Sequence, residues 1–256
     1  MGIDRRDFFT IAAGTAATGF LRAPLAAWRG GRQQFQAIAC DAFVIFDPRP
    51  VAALAERLFP GKGAELLQHW RARQFEYQWL RALAGHYTDF AQATADALVF
   101  AANELQLTLP RAARMELAQA YSALPAWPDV APALASLRDA GIRVALLSNM
   151  TSGMLAANIE HAGLQGAFAH VLSTDRERTY KPEPRAYQMA ADAFALPKEA
   201  IVYAAFAGWD AAGARWFGYP TFWVNRAGSP AEELGVSADA TGPGCAELAA
   251  FVRSNR

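Results

Sequence analysis

The chain has 256 residues, 53% of them apolar, with 24 basic and 24 acidic side chains. A neutral balance with no run of one sign excludes an electrostatic nucleic-acid footprint and a polybasic membrane patch, and the apolar share excludes a disordered chain. Two cysteines exclude a disulfide scaffold, and the length suits one large domain or a core with an insert.

The N-terminal stretch "MGIDRRDFFTIAAGTAATGFLRAPLAAW" sets the paired Arg5 and Arg6 before a mildly apolar run rich in Ala, Gly and Thr. That pattern is similar to a twin-arginine export signal, which is read by a receptor rather than inserted as an anchor. The run from Phe8 to Leu21 is short for a bilayer span. Residues 1–27 are therefore expected to be a cleaved leader, with the export machinery as partner and the periplasm as destination. Their loss removes three Arg and two Asp, leaving 21 basic and 22 acidic residues, so the remainder stays near neutral.

Residues 35–47 carry the apolar run "FQAIAC" into Asp41 and on to Phe46, and read as a first strand. From Val51 to about Leu124 the spacing is helical: "VAALAERLF", "GAELLQHWRARQFEYQWLRALAG", "DFAQATADALVFAANELQL" and "RAARMELAQAYSAL" repeat apolar residues every three or four positions. Four helices without a strand predict a helical insert over residues 49–125. After "PAWPDV" the rhythm changes to βαβα: helix "APALASLRDAG", strand "IRVALLS", helix "MLAANIEHAG", strand "HVLST", helix "PRAYQMAADAFAL", strand "AIVYAAFA", helix "AAGARWFG" and strand "TFWVN". Buried parallel strands with helical crossovers satisfy such a pattern, so residues 35–48 and 126–256 are expected to form an α/β core; the tail around "TGPG" reads as a loop.

In parallel sheets, ligands gather at the carboxyl ends of the strands. Those ends carry Asp41, then Ser148 and Asn149, then Asp210, with Lys181 in the loop "TYKPEP". The pattern thus predicts that two carboxylates, a hydroxyl–amide pair and a lysine meet at one rim. The four histidines, His69, His86, His161 and His170, have no metal-ligand spacing.

These residues, with the strings "WRARQFEYQWLRAL", "YTDF", "LLSNM", "YKPEPRAY" and "WDAAGARWFGYPTFWVNR", resemble the haloacid dehalogenase superfamily and, within it, the L-2-haloacid dehalogenase (type II) branch. The resemblance covers nearly all of the chain after the leader. It implies a Rossmann-like core with a helical cap inserted after the first strand. It also implies a metal- and cofactor-free hydrolysis of short 2-haloacids: Asp41 attacks C2, halide leaves, and water cleaves the resulting ester. The roles it implies are Arg71 as halide acceptor, Ser148 and Asn149 as holders of the substrate carboxylate at a helix N-terminus, and Lys181 as the charge that keeps Asp41 ionised. Tyr187 would hydrogen-bond near the site, and Asp210 would orient Lys181 or the water. Phe43, Phe75, Phe90 and Trp209 would form the apolar wall. A homodimer is also suggested, by the family and by the Trp-rich helix around Trp70 and Trp79.

Phe43 stands two residues after Asp41, where phosphatase branches place a second carboxylate, which speaks against phosphoryl transfer. Three positions depart from the branch. The loop "DAFVIFD" is one residue short, with Val44 where Gly-Thr is expected, and Ala205 and Ala207 replace a Ser and an Asn. Three readings follow: an exported dehalogenase with altered rate or range, a non-catalytic member that binds a small carboxylate, and a phosphatase of the wider superfamily.

Overall fold

The computed structural model describes residues 35–255; the expected leader, residues 1–27, lies outside the described residues. The first strand, β1, spans Ala37–Cys40 and is buried along its whole length, as a central parallel strand covered on both faces requires. It ends earlier than the sequence pattern suggests. Asp41 accepts a hydrogen bond from the Phe43 N–H at 2.9 Å, and the chain winds into a one-turn helix, α1, over Ala42–Ile45. Phe46 then forms an isolated antiparallel bridge with Ala126. A side chain that bonds the backbone two residues on offers an alternative to the sheet ladder, and this one stops the strand at the nucleophile position of the resemblance.

Four helices follow: α2 (Arg49–Leu58), α3 (Gly63–Leu83), α4 (Phe90–Glu104) and α5 (Arg111–Ala120). They form the all-helical cap. A Cβ at Gly63 would overlap the backbone of Ala55 and Glu56, so a glycine there lets α3 start against α2. The tryptophans that suggested an outward aromatic face turn inward. Trp70 is fully buried and its indole N–H donates to the Thr94 carbonyl at 2.8 Å, while Trp79 donates to the Lys181 carbonyl at 3.0 Å. An indole N–H seeks a partner when buried, and both find one inside the protein.

The core continues through α6 (Val130–Asp139), β2 (Arg143–Ser148), α7 (Ser152–His161), β3 (His170–Ser173), α8 (Pro184–Phe194), β4 (Ile201–Ala205), α9 (Gly208–Phe217) and β5 (Thr221–Val224). The tail expected to be a loop adds a short strand, β6 (Ala240–Gly242), and α10 (Cys245–Ser254). β6 pairs with β5 through only three residue pairs, too brief a stretch to show an alternation in sequence. The six strands are all parallel, in the order β3-β2-β1-β4-β5-β6. From β1 the chain runs first outward through β2 and β3, then returns to the other side as β4. The crevice at the ends of β1 and β4 is therefore the switch point where such sheets hold ligands.

The period-two alternation of β1 separates two cores. Ile38 and Cys40 join the larger cluster, which also contains cap residues, whereas Ala37 and Ala39 face a second cluster with Tyr187, Ile201, Tyr203 and Tyr219. Cys40 and Cys245 are buried free thiols. Burial, chiefly, pushes Cys40 well up and Cys245 to about 12, which keeps both protonated.

Candidate active site

Asp41 follows β1, Lys181 sits in the loop before α8, and Asp210 lies in the first turn of α9, yet all three meet. The Lys181 ammonium is 2.6 Å from Asp41 Oδ2 and 2.8 Å from Asp210 Oδ2. It also donates to Tyr203 Oη at 2.8 Å. Asp210 accepts from Tyr203 at 2.9 Å on Oδ2 and from Tyr187 at 2.8 Å on Oδ1. Burial alone would push the lysine down, but the charges of Asp210 and Asp41 outweigh it and its pKa ends above the ordinary value. Asp210 is raised as well: burial pushes it up, and Lys181 only partly opposes that. Both tyrosines are pushed well up by burial and by Asp210, so they serve as donors.

The loop carrying Lys181 is fixed from both sides. Asn149 Oδ1 accepts from the Lys181 N–H at 2.9 Å, and Asn149 Nδ2 donates to Gln78 of α3 at 3.1 Å. Ser148 Oγ accepts from the Met150 N–H at 3.1 Å. The helix after β2 starts later than the resemblance implies. Thr151 is its cap, accepting from the Met154 N–H at 3.2 Å, so Ser148 and Asn149 precede the helix rather than open it.

A cavity of about 460 Å³ lies between this rim and the cap, lined by Asp41, Ser148, Asn149, Lys181, Asp210 and Arg71 together with Phe43, Phe75, Phe90 and Trp209. Of the expected site residues only Tyr187 is off its wall. That side chain is fully buried behind Asp210, where it braces the carboxylate and cannot touch a ligand. A Cβ at Gly213 would overlap the Tyr187 hydroxyl, so the glycine in "AAGAR" keeps that brace possible. The aromatic wall is continuous, with Trp209 in edge contact with Phe75 at 5.4 Å and Trp79 at 5.5 Å between ring centres.

Arg71 and Arg49 are exposed cations on the cavity wall, and Arg49 is paired with Asp47 at 2.6 Å. The other arginines of α3, Arg73 and Arg81, pair with Glu76 and Asp96 at 2.8 Å each, and Arg73 also lies over the Phe100 ring at 3.9 Å rather than free in solvent. Arg71 has no ion pair among the described residues. Its charge is felt by the buried Tyr121 phenol on the same wall, which burial pushes up to about 12 while Arg71 draws it down.

The altered positions have distinct surroundings. Ala205 is buried in the second core, and Ala207 lines the cavity at the start of α9 without a side-chain cap. The shortened loop is held by Trp127, whose indole donates to the Phe43 carbonyl at 3.0 Å, and by Arg226, which donates to the Val44 carbonyl at 3.2 Å. The sequence reading missed Tyr203, Gln78, Trp127 and Arg226. A phenol at an inward position of the otherwise apolar "AIVYAAFA" was the one local signal. The others reach the site from far along the chain.

Among the described residues no group of three or more His, Cys, Asp and Glu side chains could hold a metal ion. The space between the two carboxylates, where a cation is needed, is filled by the Lys181 ammonium.

Residues 3–218 match the family model described as hydrolase, haloacid dehalogenase-like hydrolase. The chain belongs to this family. Its relatives narrow the placement: an (S)-2-haloacid dehalogenase of Pseudomonas sp. (strain YL) is 41% identical over 203 residues, 79% of this chain and 88% of the relative. A crystal structure of an L-2-haloacid dehalogenase superposes with a TM-score of 0.84 at 43% identity, covering 86% of this chain and 99% of that one. The L-2-haloacid dehalogenase of Xanthobacter autotrophicus with chloropropionic acid covalently bound gives a TM-score of 0.79 at 32% identity, covering 86% and 99%. This haloacid dehalogenase-like hydrolase therefore falls in the L-2-haloacid dehalogenase branch, and its α/β core with a helical cap is the fold of that branch.

Proposed function

We propose that the protein hydrolyses short-chain (S)-2-haloacids to 2-hydroxyacids through an ester on Asp41, without a metal. The observation that carries this reading is the placement of Asp41 and Arg71 on one cavity, with Lys181 bonded between Asp41 and Asp210. The covalently bound chloropropionic acid in the Xanthobacter autotrophicus relative supports the same chemistry.

In the proposed sequence an Asp41 carboxylate oxygen attacks C2, the new C–O bond forms as the C–halogen bond breaks, and halide leaves with the bonding pair toward Arg71. Attack opposite the leaving group inverts C2. Water then adds to the ester carbonyl of Asp41, releasing the 2-hydroxyacid, one proton and the regenerated carboxylate. Lys181 orients Asp41 through the bond to Oδ2 at 2.6 Å and places a counter-charge beside its carboxylate. Asp210 holds Lys181 and is the carboxylate near enough to direct the water. Ser148 and Asn149 face the substrate carboxylate, and Phe43, Phe75, Phe90 and Trp209 exclude solvent water from the reacting carbon. The test is halide release from L-2-chloropropionate by the leaderless protein, measured by ion chromatography. Release by the wild type, reduced about 10⁴-fold or more in Asp41→Asn, supports the reading. Ligand-induced thermal stabilisation with no halide release refutes it in favour of a carboxylate-binding member.

Export is part of the proposal: Arg5, Arg6 and the weakly apolar run after them support a twin-arginine leader over residues 1–27 and a periplasmic destination. Fractionation of cells expressing the full chain, with Arg5 and Arg6 both replaced by Lys as control, tests it. Self-association is proposed through Leu80 and Leu83 of α3, which are 60% and 88% exposed.

A further inference from the structure

We infer that Tyr203 is a positioning residue of this site: its hydroxyl accepts the third hydrogen bond of the Lys181 ammonium and donates its own to Asp210, locking the ammonium between the two carboxylates. The inference rests on the reading of Asp41 as the nucleophile and adds a residue that the motifs do not contain.

An ammonium has three protons and no acceptor. All three are accounted for here, by Asp41 Oδ2 at 2.6 Å, Asp210 Oδ2 at 2.8 Å and Tyr203 Oη at 2.8 Å. A phenol that accepts from an ammonium keeps its own proton free to donate, and Asp210 lies 2.9 Å away to receive it. The ring is fully buried, with Tyr187 in edge contact at 5.3 Å and Tyr219 stacked at 5.9 Å between ring centres. Small neighbours make room for it. Tyr203 on β4 registers with Ala39 on β1, and Ala37 and Ala39 lie on the same face of the sheet, four and two residues before Asp41.

Two consequences follow. With its donors saturated, Lys181 has none left for a substrate carboxylate, a departing halide or a water. It acts on Asp41 as a fixed charge, and substrate contacts fall to other groups. When ester formation consumes the Asp41 charge, one of the three anchors weakens, and Asp210 and Tyr203 still hold the ammonium in place for the return of the carboxylate. Tyr203 is not on the cavity wall, so its effect belongs in kcat rather than in substrate binding.

The experiment compares Tyr203→Phe with Tyr219→Phe. The second variant removes a hydroxyl from the same ring stack, but one that donates to the Tyr187 carbonyl at 2.7 Å and not to the charged trio. For Tyr203→Phe, kcat for halide release is expected to fall about tenfold with KM changed less than about twofold. The alkaline limb of kcat is expected to move to lower pH by roughly half a unit or more, because the ammonium loses an acceptor that favours its charged form. Tyr219→Phe leaves the limb in place. A second readout does not depend on activity: with ¹⁵N-lysine, the slowly exchanging Lys181 ammonium signal is present in wild type and Tyr219→Phe and broadened away in Tyr203→Phe. Wild-type kcat, alkaline limb and ammonium signal in Tyr203→Phe overturn the inference. So does a loss of thermal stability with the limb and the signal unmoved. If the wild type releases no halide while the signal still depends on Tyr203, the proposed reaction falls and the positioning role stands.

Discussion

The floor and the roof of the cavity hold their charges in opposite ways. At the floor, Lys181, Asp41 and Asp210 are almost withdrawn from solvent, with side-chain exposures of 1%, 12% and 2%, and every proton of the ammonium is bonded. On the roof, the Arg71 guanidinium is exposed and has no ion pair among the described residues, while its helix neighbours Arg73 and Arg81 are both paired. The floor is built before a ligand arrives; the roof keeps its donors for one. A reaction that makes a bond at the floor and releases an anion toward the roof needs this asymmetry. In the proposed reaction, preorganisation would fix Asp41 as the attacking group, and an uncommitted guanidinium would accept a charge that does not exist until the transition state.

Exchanging one cation at a time breaks the comparison most sharply. Lys181→Met leaves two buried carboxylates without a counter-charge, an effect on the order of 3–5 kcal/mol, so urea unfolding is expected to show a large loss of stability together with lost activity. Arg71→Gln is expected to lower kcat/KM by about 10²–10³-fold with no change in the melting temperature, because no intramolecular pair is broken. If the two variants lose stability equally, the distinction between floor and roof is wrong.

A smaller effect comes from Asp210. Its folded pKa lies above the ordinary carboxylate value because of burial. A raised folded pKa gives a contribution that is fully present below the unfolded pKa and is lost as pH rises through the folded one. Burial of ionised Asp210 therefore costs more as pH rises, but Asp210→Asn also takes one partner from the buried Lys181 pair and one acceptor oxygen from Tyr203 and Tyr187, so it is expected to melt below wild type at pH 7, by less at low pH, while losing activity. The Lys181 shift is also upward, so by the same relation its contribution persists through neutrality and fades only above the usual lysine range. Thermal melts from pH 4 to 11 check both signs.

The parallel core and the cap were legible because their periodicities persist over many residues, and the helix "GAELLQHWRARQFEYQWLRAL" is found at Gly63–Leu83 as expected. The strand drawn through Phe46 failed because apolar residues alone do not distinguish a strand from the one-turn helix that the Asp41 side chain initiates. Asp41, Lys181 and Asp210 could be named from the strand ends, since parallel-sheet topology brings those ends together. Tyr203 could not, because a buried tyrosine on a central strand reads as packing until its hydroxyl is seen against two charges. Trp127 and Arg226 lie 84 and 182 residues from the carbonyls they hold, a separation that no local pattern spans. Their bonds also show how a loop without the expected Gly-Thr is kept in shape: the support comes from outside the loop.

The central claim is that Asp41 itself forms the bond to C2. A single turnover in ¹⁸O-enriched water, with enzyme in excess over L-2-chloropropionate, tests it most directly through mass spectrometry of the product and of the peptide containing Asp41. Because water would add to the ester carbonyl of Asp41, the first product should carry an unlabelled hydroxyl and the label should enter Asp41. Labelled product from that first turnover, with Asp41 unlabelled, would mean that water displaces the halide directly, and would contradict the account.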